Sequence, residues 1–274
     1  DSTKEEIIKL VEDSSYSSNL TLIYIETPAN PTNELVDINQ CRTIAKKYST
    51  EEKPVFLAVD NTFMGPLWSH PLQHGADLVI YSATKYIGGH SDLIAGAVLG
   101  NKDILQRIKV LRTFLGNMAS PNTCWLLLRS LETLKVRMQQ QAINAKEVAS
   151  YLENHPLVLK LYYLGAIEVS DKSYDIYKEQ YSSAGAMISF EIKGGEKEAF
   201  TFLNNLKLIK LAVSLGSTES LAQHPSTMTH AGVSDELKQV IGISEGLIRI
   251  SIGVENYVDL IKDIEAAFNA VSKI

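Results

Sequence analysis

Apolar positions in the first half of the chain fall into two alternating patterns. Thr21–Glu26 (TLIYIE), Val55–Val59 (VFLAV), Leu78–Tyr81 (LVIY) and Ala95–Leu99 are short apolar runs that read as buried strands. Between and after them, Val36–Tyr48 and Asp103–Thr113 repeat apolar residues at helical spacing, and Pro66–His74 reads as a short helix or turn. The opening stretch DSTKEEIIKLVEDS is helical in character, with Ser2 as N-cap and Glu5 at capping-box spacing. Strands alternating with helices predict a mostly parallel sheet covered on both faces. Ser120-Pro121 then supplies an N-cap and a first-turn proline for one long helix running to about Glu153. That helix reads as a bridge between a domain over residues 1–135 and one over 136–274. Past it, strand signals fall at Val158–Tyr163, Ala186–Ile192, Leu211–Ser214 and Leu247–Ile252, and helical ones at Glu196–Leu206 and Tyr257–Val271. They predict a smaller α/β domain of two layers.

Composition narrows the class. The 274 residues are 45% hydrophobic and 21% charged, ample for a sizeable core, and the formal net charge of -6 argues against a nucleic-acid partner or an acidic membrane surface. No apolar run reaches the ~18 residues of a membrane span. The two cysteines, Cys41 and Cys124, lie far apart and form no zinc-type spacing, so a reducing, cytoplasmic setting is the simpler reading. The chain opens directly inside an element without an initiator Met, as a fragment or processed piece would.

In mostly parallel sheets, functional groups gather at the carboxyl ends of strands. Asn30, Asp60, Ser82, Thr84 and Lys85 all follow strand-like runs. A desolvated lysine can form an imine with a carbonyl cofactor. Pyridoxal 5′-phosphate (PLP) needs, in addition, a carboxylate beside its pyridinium nitrogen, which Asp60 could supply one strand step away from Lys85. Ser82 and Thr84 offer hydroxyls for a phosphate. Arg249, on the late run LIRIS, could clamp a substrate carboxylate through two hydrogen bonds. Each signal has an ordinary reading as well. A lysine after a strand is most often a solvated surface residue. Asp60-Asn61 fits a turn or cap, the hydroxyls fit a loop, and Arg249 fits an interface ion pair.

The stretch VDNTFMGPLWSHPLQHGADLVIYSATKYIGGHSDLIAGAVLG strongly resembles the Cys/Met-metabolism family of PLP enzymes: cystathionine γ-synthase, cystathionine γ- and β-lyases and methionine γ-lyase. YIETPANPTNELVDI, AVSLGSTESLAQHPSTMTHAGVS and GISEGLIRISIGVEN extend the resemblance over essentially the whole chain. It implies the aspartate-aminotransferase-like α/β fold (fold type I), with a mostly parallel large domain and a smaller C-terminal α/β domain. It implies Lys85 as the Schiff-base lysine and proton shuttle, and Asp60 on the pyridine nitrogen. Ser82 and Thr84 would bind phosphate, Asn30 the ring hydroxyl, and Thr62 would pack beneath the ring. Arg249 and Ser214 would hold the substrate α-carboxylate. Family members also carry an N-terminal stretch with a glycine-rich phosphate loop, a stacking tyrosine and a Tyr/Arg pair reaching a neighbouring subunit. Here it would lie in another part of the same protein, and the 274 residues alone are not expected to be active. A homotetramer of dimers that share active sites is implied too.

The residue before Ser214 bears on the reaction. Cystathionine γ-lyase and γ-synthase commonly have glutamate there, and β-lyases an aromatic. Val213 resembles methionine γ-lyase, and suits an uncharged thioether tail where an unpaired buried carboxylate would be costly. Val213 also has a lesser reading as an ordinary packing choice in a strand, and RTFLGNMASPNTCWLLLRSLETLKVRM looks closer to a bacterial γ-synthase-like branch. The expectation is a carbon–sulfur lyase catalysing α,γ-elimination on methionine or cystathionine-type sulfur amino acids. The alternative is γ-replacement of an O-acylhomoserine with cysteine. A non-catalytic PLP-fold protein, or an α/β binding protein without PLP, stands further off.

Overall fold

The computed structural model describes residues 4–13 and 19–274. The expected capping residue Ser2 lies outside them, and the helix it would cap is α1, Lys4–Asp13. Two sheets organise the rest. The first joins β1 (Leu22–Glu26), β2 (Phe56–Asp60), β3 (Leu78–Ser82) and β4 (Gly96–Gly100) in that order. The first three run parallel, and β4 is antiparallel to β3. Leu57, Ala58 and Val59 are buried in succession, as a strand covered on both faces requires. On one face, α2 (Ile38–Tyr48) turns Ile38, Cys41, Ile44 and Ala45 inward at helical spacing. Asp37 caps α2 by accepting from the amides of Asn39 and Gln40. A short helix, α3 (Gly65–Trp68), and a 3₁₀ turn at Pro71–His74 lead from β2 to β3.

The long helix expected over residues 120–153 is two. After α4 (Lys102–Leu115), α5 (Pro121–Leu131) begins at the Ser120 cap, and α6 starts afresh over Leu134–Glu153. The Ser130 carbonyl explains the break. It accepts from the amide and hydroxyl of Thr133 and from Arg137 Nη2 at 2.9 Å, so the regular helical donor is displaced. Along α6 the buried Leu134, Met138, Gln141, Ala145, Val148 and Leu152 form one stripe. Gln141 and Asn144 on it donate to the carbonyls of Ser217, Gly253 and Glu255, fastening α6 to the second sheet's loops.

That second sheet contains β5 (Val158–Tyr162), β6 (Met187–Ile192), β7 (Lys210–Leu211), β8 (Leu221–Gln223) and β9 (Leu247–Ser251), ordered β5-β6-β9-β8-β7. Its contacts are antiparallel except for β7–β8. α6, α8 (Glu196–Asn205) and α10 (Tyr257–Val271) pack on it, around Phe190, Phe202, Phe268, Ile188 and Ile250. α7 (Ser173–Gln180), α9 (Asp235–Val240) and β8 are elements with no counterpart in the expected pattern. The strand expected over Leu211–Ser214 ends at Leu211. The carbonyls of Val213 and Ser214 accept from Arg249 Nη2, 3.0 Å each, and so turn out of the ladder. Val213 is accordingly 52% exposed rather than a buried strand position. Among the described residues, no helix is long and apolar enough to cross a membrane.

Candidate active site

A cavity of about 260 Å³ opens where the carboxyl ends of β1, β2 and β3 face the second sheet. It lies just under the ~300–1,000 Å³ usual for small-ligand sites. Asn30, Asp60, Thr62, Ser82, Lys85, Val213 and Arg249 all line it. Seven of the nine sequence candidates are thus brought to one place from five segments of chain.

Two anchored loops make the walls. The loop after β1 is pinned from the second sheet and from the residue that ends α7. Asn33 Nδ2 donates to the carbonyls of Tyr162 and Met187, Ser189 Oγ donates to the Pro31 carbonyl at 2.6 Å, and Thr27 Oγ1 pairs with Tyr181 Oη at 2.6 Å. Asn30 is thereby held with Oδ1 2.9 Å from Arg249 Nη1. The loop after β3 carries Lys85. Its next residue, Tyr86, is fully buried edge-on against Trp68, and Arg137 Nη1 donates to the Tyr86 carbonyl at 2.8 Å. Gly89 has φ +69, and a side chain there would overlap the Arg137 guanidinium, so this turn requires glycine.

Lys85 is half-buried, and Nζ donates to Ser214 Oγ at 3.1 Å. Ser214 therefore meets Lys85 although its side chain is not part of the cavity lining. Burial, and secondarily the Arg249 charge, pull the Lys85 amine below the usual lysine range. Asp60 Oδ1 accepts from the Thr62 amide at 2.9 Å, and Oδ2 from Tyr24 Oη at 3.2 Å. Thr62 Oγ1 accepts from the Ser82 amide at 2.9 Å, tying the ends of β2 and β3 together. The Ser82 hydroxyl, by contrast, has no hydrogen bond among the described residues. Thr84 lies outside the cavity lining. Its hydroxyl accepts from the Ala95 amide at 3.0 Å and donates to the Ala95 carbonyl at 3.3 Å.

Arg249 is 2% exposed, and burial lowers its guanidinium to about 10, so it remains a cation at neutral pH. Nη1 and Nη2 are already engaged, by Asn30 and by the Val213 and Ser214 carbonyls. Nε is buried with no partner. An unsatisfied donor on a buried cation inside a cavity is a position for an anionic group of a ligand. Glu26, Thr229, Tyr24 and Arg137 are site or supporting residues that the motifs did not single out. Glu26 had a readable signal: it ends the apolar run TLIYIE much as Asp60 follows VFLAV, and the structure sets the two opposite each other in the β1–β2 register. Its carboxyl is pushed up, chiefly by desolvation, although much of the residue is open to solvent.

These side chains fit PLP. An amine with depressed basicity, a carboxylate fixed by donors to both its oxygens, a free hydroxyl and an unpartnered cationic donor line one cavity. That is the donor set that a carbonyl-bearing, phosphorylated pyridine and an amino-acid carboxylate require.

The comparisons with known proteins agree. The sequence model of the family described as "Cys/Met metabolism PLP-dependent enzyme" matches residues 3–269. The L-methionine γ-lyase of Fusobacterium nucleatum subsp. polymorphum is 41% identical over 92% of this chain and 63% of its own length. The cystathionine γ-lyase of Homo sapiens is 43% identical over 96% of this chain and 63% of its own. A crystal structure of cystathionine γ-synthase from Xanthomonas oryzae pv. oryzae, in complex with aminoacrylate and cysteine, superposes with a TM-score of 0.89. It is 38% identical, over 96% of this chain and 66% of that one. The chain spans about 63% of the length of the two lyases it matches. With a matching profile over nearly every residue and the fold of the superposed synthase, this chain belongs to the Cys/Met metabolism family of PLP-dependent enzymes.

Proposed function

We propose that the protein is a carbon–sulfur lyase acting on a sulfur amino acid of the methionine or cystathionine type by α,γ-elimination. When bound, PLP supplies an electron sink that stabilises negative charge at the substrate's α-carbon. Lys85 Nζ holds the cofactor before substrate arrives and then carries protons at the substrate carbons, the work of a general base and acid. Its depressed basicity suits both duties, because only the neutral amine can bond to a carbonyl or accept a proton, and an ammonium of lowered pKa gives its proton back more readily. Asp60 keeps a proton at the ring nitrogen, Ser82 donates to the phosphate, and Asn30 donates to the ring hydroxyl through Nδ2, since its Oδ1 is taken by Arg249. Thr62 would support the ring, and Thr84, whose hydroxyl braces the Lys85 loop on the Ala95 backbone, would add to the phosphate's binding. Arg249 receives the substrate carboxylate through Nε, with Ser214 between it and Lys85.

The observation that carries the reading is the convergence of Lys85, Asp60 and Arg249 on one cavity. Val213 favours a thioether over a charged tail by offering an apolar contact and no charged partner at the half-exposed cavity wall. The assembly is a homotetramer in which neighbouring subunits share active sites, the other part of each site coming from the N-terminal segment of the same protein. The site residues divide between domains over 1–135 and 136–274. Purified full-length protein is expected to release α-ketobutyrate from methionine and cystathionine. If it releases none from either, yet converts an O-acylhomoserine and cysteine to a thioether, the elimination reading falls and γ-replacement takes its place.

A further inference from the structure

We infer that Tyr24 is a positioning residue for Asp60, its hydroxyl fixing the plane of the carboxylate that faces the cofactor's ring nitrogen. The inference rests on the role proposed above for Asp60. In the parallel β1–β2 register, Tyr24 stands opposite Ala58 and Glu26 opposite Asp60. Side chains two apart on a strand share a face, so Tyr24 and Asp60 lie diagonally across one face of the sheet. The hydroxyl spans that diagonal and donates to Asp60 Oδ2 at 3.2 Å.

The other carboxylate oxygen already accepts from the Thr62 amide, in the turn that follows β2. One hydrogen bond leaves a carboxylate free to pivot about its Cβ–Cγ bond. Two donors, from two different elements, set its plane and hence the direction of its remaining lone pairs. Desolvation, and then the Asp60 charge, push the Tyr24 phenol up, so it stays a donor throughout the neutral range. Tyr24 is 53% exposed and its ring stacks on no other ring among the described residues, so packing does not explain the residue. A phenylalanine would fill the same strand position equally well; only the hydroxyl reaches Asp60.

The test is a double-mutant cycle on the full-length chain: wild type, Tyr24→Phe, Asp60→Asn and the double variant, each titrated with PLP. Affinity is read from quenching of protein fluorescence, and the pH midpoint of the visible band is read on the loaded protein. Tyr24→Phe is expected to weaken PLP binding by roughly 3- to 10-fold, the order for a partly exposed hydrogen bond to a charged group. It is also expected to move the pH midpoint of the band while leaving the urea midpoint in place. In the Asp60→Asn background the same substitution is expected to do much less, because the acceptor has lost its charge. Unchanged affinity and midpoint in Tyr24→Phe overturn the inference, as does an equal effect in both backgrounds. If Asp60→Asn itself changes neither affinity nor spectrum, the role of Asp60 fails, and the inference with it.

Discussion

Lys85 can bond to a carbonyl or accept a proton only as a neutral amine, and its surroundings favour that form. Burial is the larger cause and the Arg249 cation the smaller. Both disfavour the ammonium, so the folded-state pKa lies below the ordinary lysine value of 10.5, and at any pH beneath that value more of the amine is neutral than in a free lysine. Capture of PLP by the full-length protein, followed by stopped-flow absorbance, is therefore expected to rise with pH through a midpoint under 10.5. A midpoint at the ordinary value contradicts the burial argument. Lys85→Ala is expected to lower turnover by about 10²–10⁴-fold or more with unchanged circular dichroism. At this scale much of the site was legible, because Lys85, Asp60, Ser82 and Asn30 each follow a strand-like run and strand ends converge. Arg249 was readable as a cation on the late strand-like run LIRIS, but its meeting with Lys85 and the part played by Val213 were recognisable only through the resemblance. Tyr24 left no signal, since whether a strand side chain reaches across to its neighbour depends on register, which a lone sequence does not display.

Elements, rather than single residues, hold Lys85 still. Arg137 reaches back from the first turn of α6 to the carbonyls of Tyr86 and Ser130, joining the Lys85 loop to the break between α5 and α6. It is a buried cation that no described carboxylate pairs with, satisfied by main-chain oxygens instead. Gly89→Ala is expected to cost about 1–3 kcal/mol through its left-handed backbone, with the overlap on Arg137 adding to that. Urea unfolding measures it, and an unchanged midpoint would mean that the guanidinium is not fixed against this turn. The apolar periodicity of residues 120–153 pointed to one helix because periodicity does not register a carbonyl captured by a side chain. The short β7 likewise reflects Arg249 drawing the Val213 and Ser214 carbonyls away from the ladder. Both departures from the expected pattern occur where an arginine binds main-chain oxygen near the site.

Across the whole molecule, apolar surface is distributed unevenly. α4 and α5 carry exposed Leu111, Phe114, Leu115, Trp125 and Leu128, and α4 has no buried residue. Exposed apolar side chains concentrated on two successive helices suit an interaction face. With the homotetramer proposed above, Phe114→Asp is expected to yield a smaller species by size-exclusion chromatography with light scattering; an intact tetramer would place the subunit contacts elsewhere. The two-sheet architecture was legible from the change of pattern after residue 153. The strands of the second sheet alternate less cleanly, and its short members, such as Leu221–Gln223, fall below the length at which a period can be read.

Lys85 is expected to bond covalently to PLP in a site completed by the rest of the protein. Absorbance of the purified full-length protein with added PLP tests it most directly. A visible band that borohydride reduction removes, leaving the label on Lys85 in a peptide map, and that Lys85→Ala lacks, is the expected result. A wild-type protein with no such band, or a label on another lysine, would contradict it.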